Sequence, residues 1–264
     1  GAPHSFSNWE DYLEEYRGSY FALSTKKGGW DTFRHLEILF SGAIPLVPNL
    51  GGSHPFALAH YPKKLLTSVL DSQMREGPAL PDDQTREFLA TWAKNYLTTQ
   101  AMAQYLVDVS GLSPKRVLFV DKSLASRTDY LSAFTFIGLS EVLGSALVAA
   151  FEPAYLFDDF TGDTSRFYGK GFGYTRVIPR SLRSQESLSA DAPTSELMDM
   201  ASSASAIVVG NYDANLETVG DLLAGGIPPG KIICVLGSDL PPDRSLLRDI
   251  RRSGMTFFVR EFAS

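Results

Sequence analysis

A single cysteine, Cys234, among 264 residues excludes an internal disulfide and any cysteine-based metal site. Cys234 lies in the apolar run Ile232-Ile233-Cys234-Val235-Leu236 and reads as a small core residue. Long apolar stretches are missing too. None approaches the roughly 20 residues that a membrane span needs, so the chain reads as soluble. Positive charge is scarce: 24 Lys+Arg stand against 30 Asp+Glu, a net charge of −6. Residues 1–112 carry 9 basic and 12 acidic side chains and residues 113–264 carry 15 and 18. Each half is therefore −3, which argues against nucleic acid as a partner. No GxSxG elbow, Walker A sequence or GxGxxG fingerprint occurs, which weakens hydrolase, P-loop NTPase and dinucleotide-dehydrogenase readings. Of the four histidines, His4, His54 and His60 show no metal-ligand spacing. The first residues, Gly1-Ala2-Pro3-His4-Ser5, lack the basic-then-apolar order of a secretory signal, and a cytoplasmic setting is expected.

What is present is ordinary globular composition, 44% apolar and 20% charged. The pattern predicts helices over 7–17, 31–41, 130–143, 195–202, 216–223 and 243–252, with one or two more within 81–111. Strands are expected over 19–25, 44–47, 116–121, 146–151, 206–209, 231–236 and 255–259. Alternating strands and helices indicate an α/β fold with a mainly parallel sheet. The glycine and proline at Gly111–Lys115 suggest a division into residues 1–112, with about three strands, and residues 113–264. Residues 152–195 are irregular and rich in Gly, Tyr, Phe and Arg, too long for a passive connector.

The segment Lys26 to Pro48, KKGGWDTFRHLEILFSGAIPLVP, carries the most chemical information. A strand runs through Gly28-Gly29 into a helix start, where free N–H groups and the helix dipole favour an anion such as a diphosphate. Lys26 and Lys27 add positive charge, and Asp31 is placed to cap the helix. Arg34 and Glu37 are three residues apart and share a face. Arg34 suits a two-pronged bond to phosphate, and Glu37 suits the vicinal hydroxyls of a ribose. A plain reading of Arg34 and Glu37 as a surface ion pair stays open. His35, beside Arg34, is placed either to touch phosphate or to pack.

This segment resembles the donor-binding motif of exostosin-like, GT-B-type glycosyltransferases. Asp31, Arg34, Glu37, Gly42, Ile44 and Pro45 match that pattern over about 20 residues. The resemblance implies that Glu37 holds the nucleotide ribose and Arg34 the diphosphate or sugar. In the second half RVLFVDKS, the loop with GKGFGYTR, Gly237-Ser238-Asp239 and FFVREF resemble the acceptor-side domain of the same family. That domain normally precedes the donor domain, so the order here reads as circularly permuted, a change that closely spaced termini tolerate. The implied architecture is two Rossmann-like units in a GT-B-like arrangement, with a nucleotide sugar and a carbohydrate acceptor as partners. No cofactor or metal is implied. The alternative is a non-catalytic nucleotide- or sugar-binding α/β module of a larger assembly.

Three carboxylates are candidates for the general base. Asp121 and Asp239 end strands, where ligands bind in open α/β sheets, and Glu261 follows the last strand. The competing readings are a helix or turn cap for Asp121, a turn former for Asp239 and a solvated terminal pair with Arg260 for Glu261. Lys122 and Arg127 are expected to face a cleft between the halves. Lys170, Phe172, Tyr174 and Arg176 combine aromatic faces with donors, which suits a sugar acceptor, though an ordered surface loop fits as well. Asp158-Asp159 reads as a solvated pair rather than a cation site.

Overall fold

A computed structural model describes residues 6–77 and 79–263; His4, one of the histidines weighed above, lies outside them. The chain separates into two compact units. Unit 1 is Gly1–Thr98 with Ser238–Pro242 and Arg260–Ser264, and unit 2 is Thr99–Gly237 with Asp243–Val259. The division thus falls at Thr98/Thr99 rather than near Gly111, and two short segments of the C-terminal half join unit 1.

Unit 1 contains helix α1 (Trp9–Arg17), strand β1 (Phe21–Leu23), helix α2 (Phe33–Phe40), strand β2 (Ile44–Leu46), and helices α3 (Lys63–Glu76) and α4 (Asp83–Tyr96). Two strands, not about three, occur among its described residues; β1 and β2 pair in parallel, with Ala22 opposite Pro45. Asn8 caps α1 by accepting from the Asp11 amide, and Asp82 caps α4 at the Thr85 amide. α2 ends where Gly42 takes φ +88°, and the Ala43 amide returns to the Ile38 carbonyl. A residue with a Cβ is strained in that conformation. The unit closes over a core of Trp30, Leu39, Ile44, Val47, Leu66 and Leu89.

Unit 2 contains α5 (Thr99–Ser110), β3 (Val117–Val120), α6 (Tyr130–Leu143), β4 (Leu147–Ala149), α7 (Thr194–Ser203), β5 (Ala206–Val209), α8 (Leu216–Ala224), β6 (Ile232–Leu236), α9 (Arg244–Arg252) and β7 (Thr256–Val259). All strand pairs are parallel, in the order β4-β3-β5-β6-β7. β3 therefore lies between its two successors, and the winding direction reverses between β3 and β5. Odd and even strand residues serve opposite faces. Val117 and Phe119 enter a core with Ala133, Phe136 and Ile137 of α6, while Leu118 and Val120 enter another with Leu197, Val219 and Leu222. Both faces are covered, which is why β3, β5 and β6 are buried at every position. α5 belongs to this unit because it packs closely on α6. A Cβ on Gly138 would run into the Thr99 carbonyl. Cys234 is buried in the second core, where burial pushes its thiol up to about 12.

Candidate functional site

In unit 1 the β1–α2 connection is the glycine turn singled out by the sequence, and the structure fills it with carboxylates. A Cβ on Gly28 would meet the Asp239 carboxylate, and one on Gly29 would fall on the Glu261 carboxylate. Glu261, 3% exposed, accepts the Asp31 amide at 2.8 Å. Arg260 fastens the same place: its Nε lies 3.1 Å from Asp31 Oδ2, its Nη1 lies 2.5 Å from Asp239 Oδ1, and its Nη2 donates to the Asp31 carbonyl. Phe262 stacks on His54 with centroids 5.1 Å apart. Residues 260–262 thus strap the turn before α2 to the loop after β2.

This arrangement changes the reading of several residues. Asp31 does not cap its own helix; it pairs with Arg260, and Thr32 is the N-cap without a side-chain bond. The Asp31 amide, expected to face phosphate, is occupied by Glu261. Asp239 and Glu261 are members of one acid–arginine cluster, not independent strand-end bases, and Glu261 is not a solvated terminal residue. Lys26 sits over the Trp30 ring at 5.4 Å. Lys27 is exposed.

Arg34 and Glu37 share a face of α2, as expected, yet they form no ion pair with each other. Both are partly buried. Glu37 Oε2 accepts the Tyr12 hydroxyl at 2.7 Å, and Tyr12 Oη lies 3.1 Å from Tyr16 Oη. Burial raises the Glu37 carboxyl above its usual range, against the opposing pull of Tyr12 and Arg34. Arg34 Nε is buried without a hydrogen-bond partner. The tyrosines come from α1, four residues apart and hence stacked on one side of that helix. His35 faces inward: it is fully buried, with Nδ1 2.7 Å from Ser24 Oγ and Nε2 unpartnered. Burial lowers its pKa and keeps it neutral. It is a packing histidine and does not reach a ligand on the outer face of α2.

In unit 2 the winding reversal between β3 and β5 is where an open parallel sheet ordinarily offers a crevice. Here it is plugged. Asp121 is 0% exposed and receives the Ser123 amide (3.1 Å), Ser123 Oγ (2.7 Å), the Leu124 amide (3.2 Å), Asn215 Nδ2 (3.0 Å) and Ser132 Oγ (2.5 Å). Four of these donors converge on Oδ1 and Ser132 holds Oδ2, in a carboxylate with no solvent exposure, so Asp121 acts as a turn-capping hub that an incoming hydroxyl does not reach. Asn211 Nδ2 reaches Asp129 at 2.6 Å and extends the network. Lys122 and Arg127 are exposed on the turn above it.

The aromatic loop of unit 2 folds on itself. Tyr174 is fully buried, and its hydroxyl donates to the Tyr168 carbonyl at 2.9 Å. It is therefore core, not an acceptor platform. Arg176 takes φ +59° and donates to the Phe160 and Gly162 carbonyls, so its guanidinium is a strut within the loop. Lys170 lies in the tight Tyr168–Gly171 turn at φ +58°, and Phe172 follows it, half-buried. Asp159 pairs with Arg183 at 2.8 Å, and Asp158 accepts the Arg180 amide. Both acids are exposed, as expected of a solvated pair, and each also has a partner within the loop.

Tyr12, Tyr16 and Phe262 are parts of these clusters that sequence reading did not single out, and Arg260 entered it only as a terminal partner of Glu261. The only signal for the tyrosines is their four-residue spacing on an acidic helix; nothing local marks Arg260, whose partners lie 229 and 21 residues away. No helix among the described residues is long and apolar enough to cross a membrane. No family model, curated protein or solved structure matches this chain.

Proposed function

We propose that the chain is a glycosyltransferase of GT-B-like architecture, which binds a nucleotide diphosphate sugar through unit 1 and transfers the sugar to a carbohydrate acceptor. The observation that carries this reading is the state of Arg34 and Glu37. They sit one helical turn apart, partly buried and unpaired with each other, with a buried guanidinium nitrogen lacking an acceptor and a carboxyl raised by burial. Tyr12 already engages both side chains, so the unmade part is the Arg34 Nε–H, and a buried donor without an acceptor costs stability unless a ligand completes it. A ligand with an anionic group completes Arg34, and two neighbouring hydroxyls on it add donors to Glu37 beside Tyr12. Arg34 binds and stabilises the leaving diphosphate, Glu37 accepts from the ribose, and Tyr12 orients Glu37. Of the three candidate bases only Asp239 has an exposed side chain, but Arg260 holds it, so we assign no base for the acceptor hydroxyl.

A specific observation favours the second reading, a binding module without turnover: Glu261 holds the amide that a diphosphate would use at the glycine turn. Calorimetric titration with nucleoside diphosphates and nucleotide sugars tests both. Micromolar binding of one nucleotide, weakened about tenfold or about 1.4 kcal/mol by Arg34→Ala and by Glu37→Ala, supports the site. Sugar transfer then separates enzyme from module. Binding that ignores both substitutions removes the reading.

A further inference from the structure

Each unit buries a carboxylate in a turn, and the two are held very differently. Asp121 in unit 2, 0% exposed, takes five donors on its two oxygens. Glu261 in unit 1, 3% exposed, takes one: Oε1 accepts the Asp31 amide at 2.8 Å, and Oε2 has no hydrogen-bond partner among the described residues. Removing a carboxylate from water costs free energy that only hydrogen bonds or an opposite charge offset. Asp121 is therefore fixed, and Glu261 is under-satisfied where it stands.

Its neighbours bring it there. Arg260 reaches Asp31 Oδ2, Asp239 Oδ1 and the Asp31 carbonyl, and Phe262 stacks on His54. The chain is thus anchored on both sides of Glu261, while the Glu261 side chain itself hangs on one bond. The place it takes is one an anion suits. Gly28 and Gly29 leave bare Cα atoms, and a Cβ on Gly29 would fall on the Glu261 carboxylate. A glycine turn with a backbone amide facing an anionic oxygen is the arrangement that receives phosphate oxygens. We infer that Glu261 is a built-in competitor for the donor diphosphate: its carboxylate stands in for a phosphoryl oxygen at the Asp31 amide, and the diphosphate binds by turning it out while Arg260 and Phe262 keep the strap in place. This rests on the reading of unit 1 as the donor half and adds a control on that site. A ligand that needs a minor form binds with its affinity reduced by the fraction of molecules in that form. A nucleoside diphosphate with further contacts at Arg34 and Glu37 overcomes the competitor, and a bare phosphate does not.

Titration calorimetry of the full chain with uridine, guanosine and adenosine diphosphates, the three nucleosides and inorganic pyrophosphate tests it, in the wild type, Glu261→Ala, Glu261→Gln and Arg34→Ala. The diphosphate that binds is expected to bind Glu261→Ala about tenfold more tightly than the wild type, a gain of about 1.4 kcal/mol, and pyrophosphate is expected to gain by the same factor. Glu261→Gln, which keeps the shape and drops the charge, gives a smaller gain of the same sign. The nucleoside, lacking phosphates, changes by less than about twofold. In the wild type the Asp31 amide resonance shifts on saturation with the diphosphate, a readout that stands even where Glu261→Ala folds poorly. Binding in the Glu261 variants that the wild type lacks supports the competitor most strongly. Diphosphate affinity that is unchanged or weaker in both Glu261 variants, yet lost in Arg34→Ala, overturns the competitor and leaves the donor site standing. An equal gain for the nucleoside, or an Asp31 amide that does not shift, overturns it too. Absence of diphosphate binding in the wild type and in both Glu261 variants overturns the competitor and the donor site together.

Discussion

Replacing Gly29 by alanine tests whether the strap holds the glycine turn as described. The new methyl lands on the Glu261 carboxylate, so the acid must leave. Its departure breaks the 2.8 Å bond from the Asp31 amide, a charge-assisted bond worth about 1.5–3 kcal/mol. Residual crowding adds about 1 kcal/mol. Gly29→Ala should therefore cost about 3 kcal/mol, and Glu261→Ala alone about 2 kcal/mol for the unpaired amide. In the double variant the methyl enters the space the carboxylate vacated, and the total should stay near 2–3 kcal/mol, a coupling of about 2 kcal/mol. The assay is intrinsic to the chain. Its three tryptophans, Trp9, Trp30 and Trp92, all lie in unit 1, so urea unfolding followed by tryptophan fluorescence reports on that unit. A loss below about 0.5 kcal/mol in Gly29→Ala, or strict additivity in the double variant, refutes the reasoning.

Four further outcomes are expected. Asp121→Ala strands several buried donors and should destabilise unit 2 by about 3–5 kcal/mol, read by hydrogen exchange at the β3 amides; a change under about 1 kcal/mol would return Asp121 to the candidate bases. Tyr174→Phe should cost about 1 kcal/mol for the bond to Tyr168 and Tyr174→Ala about 3–5 kcal/mol, and thermal melts with no difference between the two would contradict a core position. Glu37→Gln removes a carboxylate that burial disfavours and keeps its shape, so the fluorescence midpoint at neutral pH should hold or rise while nucleotide affinity falls; a fall in the midpoint would contradict the burial argument. His35 is held below its ordinary value of 6.5, so its stabilisation is complete above that value and is lost as pH falls through the lowered one. Glu37, raised by burial, runs the other way, contributing below its ordinary 4.5 and losing that contribution as pH rises through its raised value. Below about pH 6.5 the His35 contribution to the unit 1 midpoint should fall, and His35→Gln should remove that part of the pH dependence; a pH dependence unchanged by the substitution removes His35 as a cause.

The sequence alone determined the alternation of elements in unit 2, because strands buried on both faces are continuous apolar runs and their helices carry plain stops. Helix Tyr130–Leu143 and strand Ala206–Val209 stand where the pattern put them. It also placed Arg34 and Glu37 on one helical face, since three-residue spacing guarantees that. Helix α3 was not read: Pro62 stands in place of a side-chain cap, and only Leu66 of its residues is buried, so its apolar stripe is weak. Tertiary structure decided the rest. A strand-end aspartate looks the same in sequence whether it faces solvent or, like Asp121, meets five donors drawn from as far as Asn215. A glycine pair before a helix looks like an open anion site until a carboxylate from residue 261 fills it. The unit boundary moved because α5 needs the bare Cα of Gly138 to pack on α6. Local spacing sets faces and periods; which groups are left unpaired depends on contacts between residues far apart in the chain.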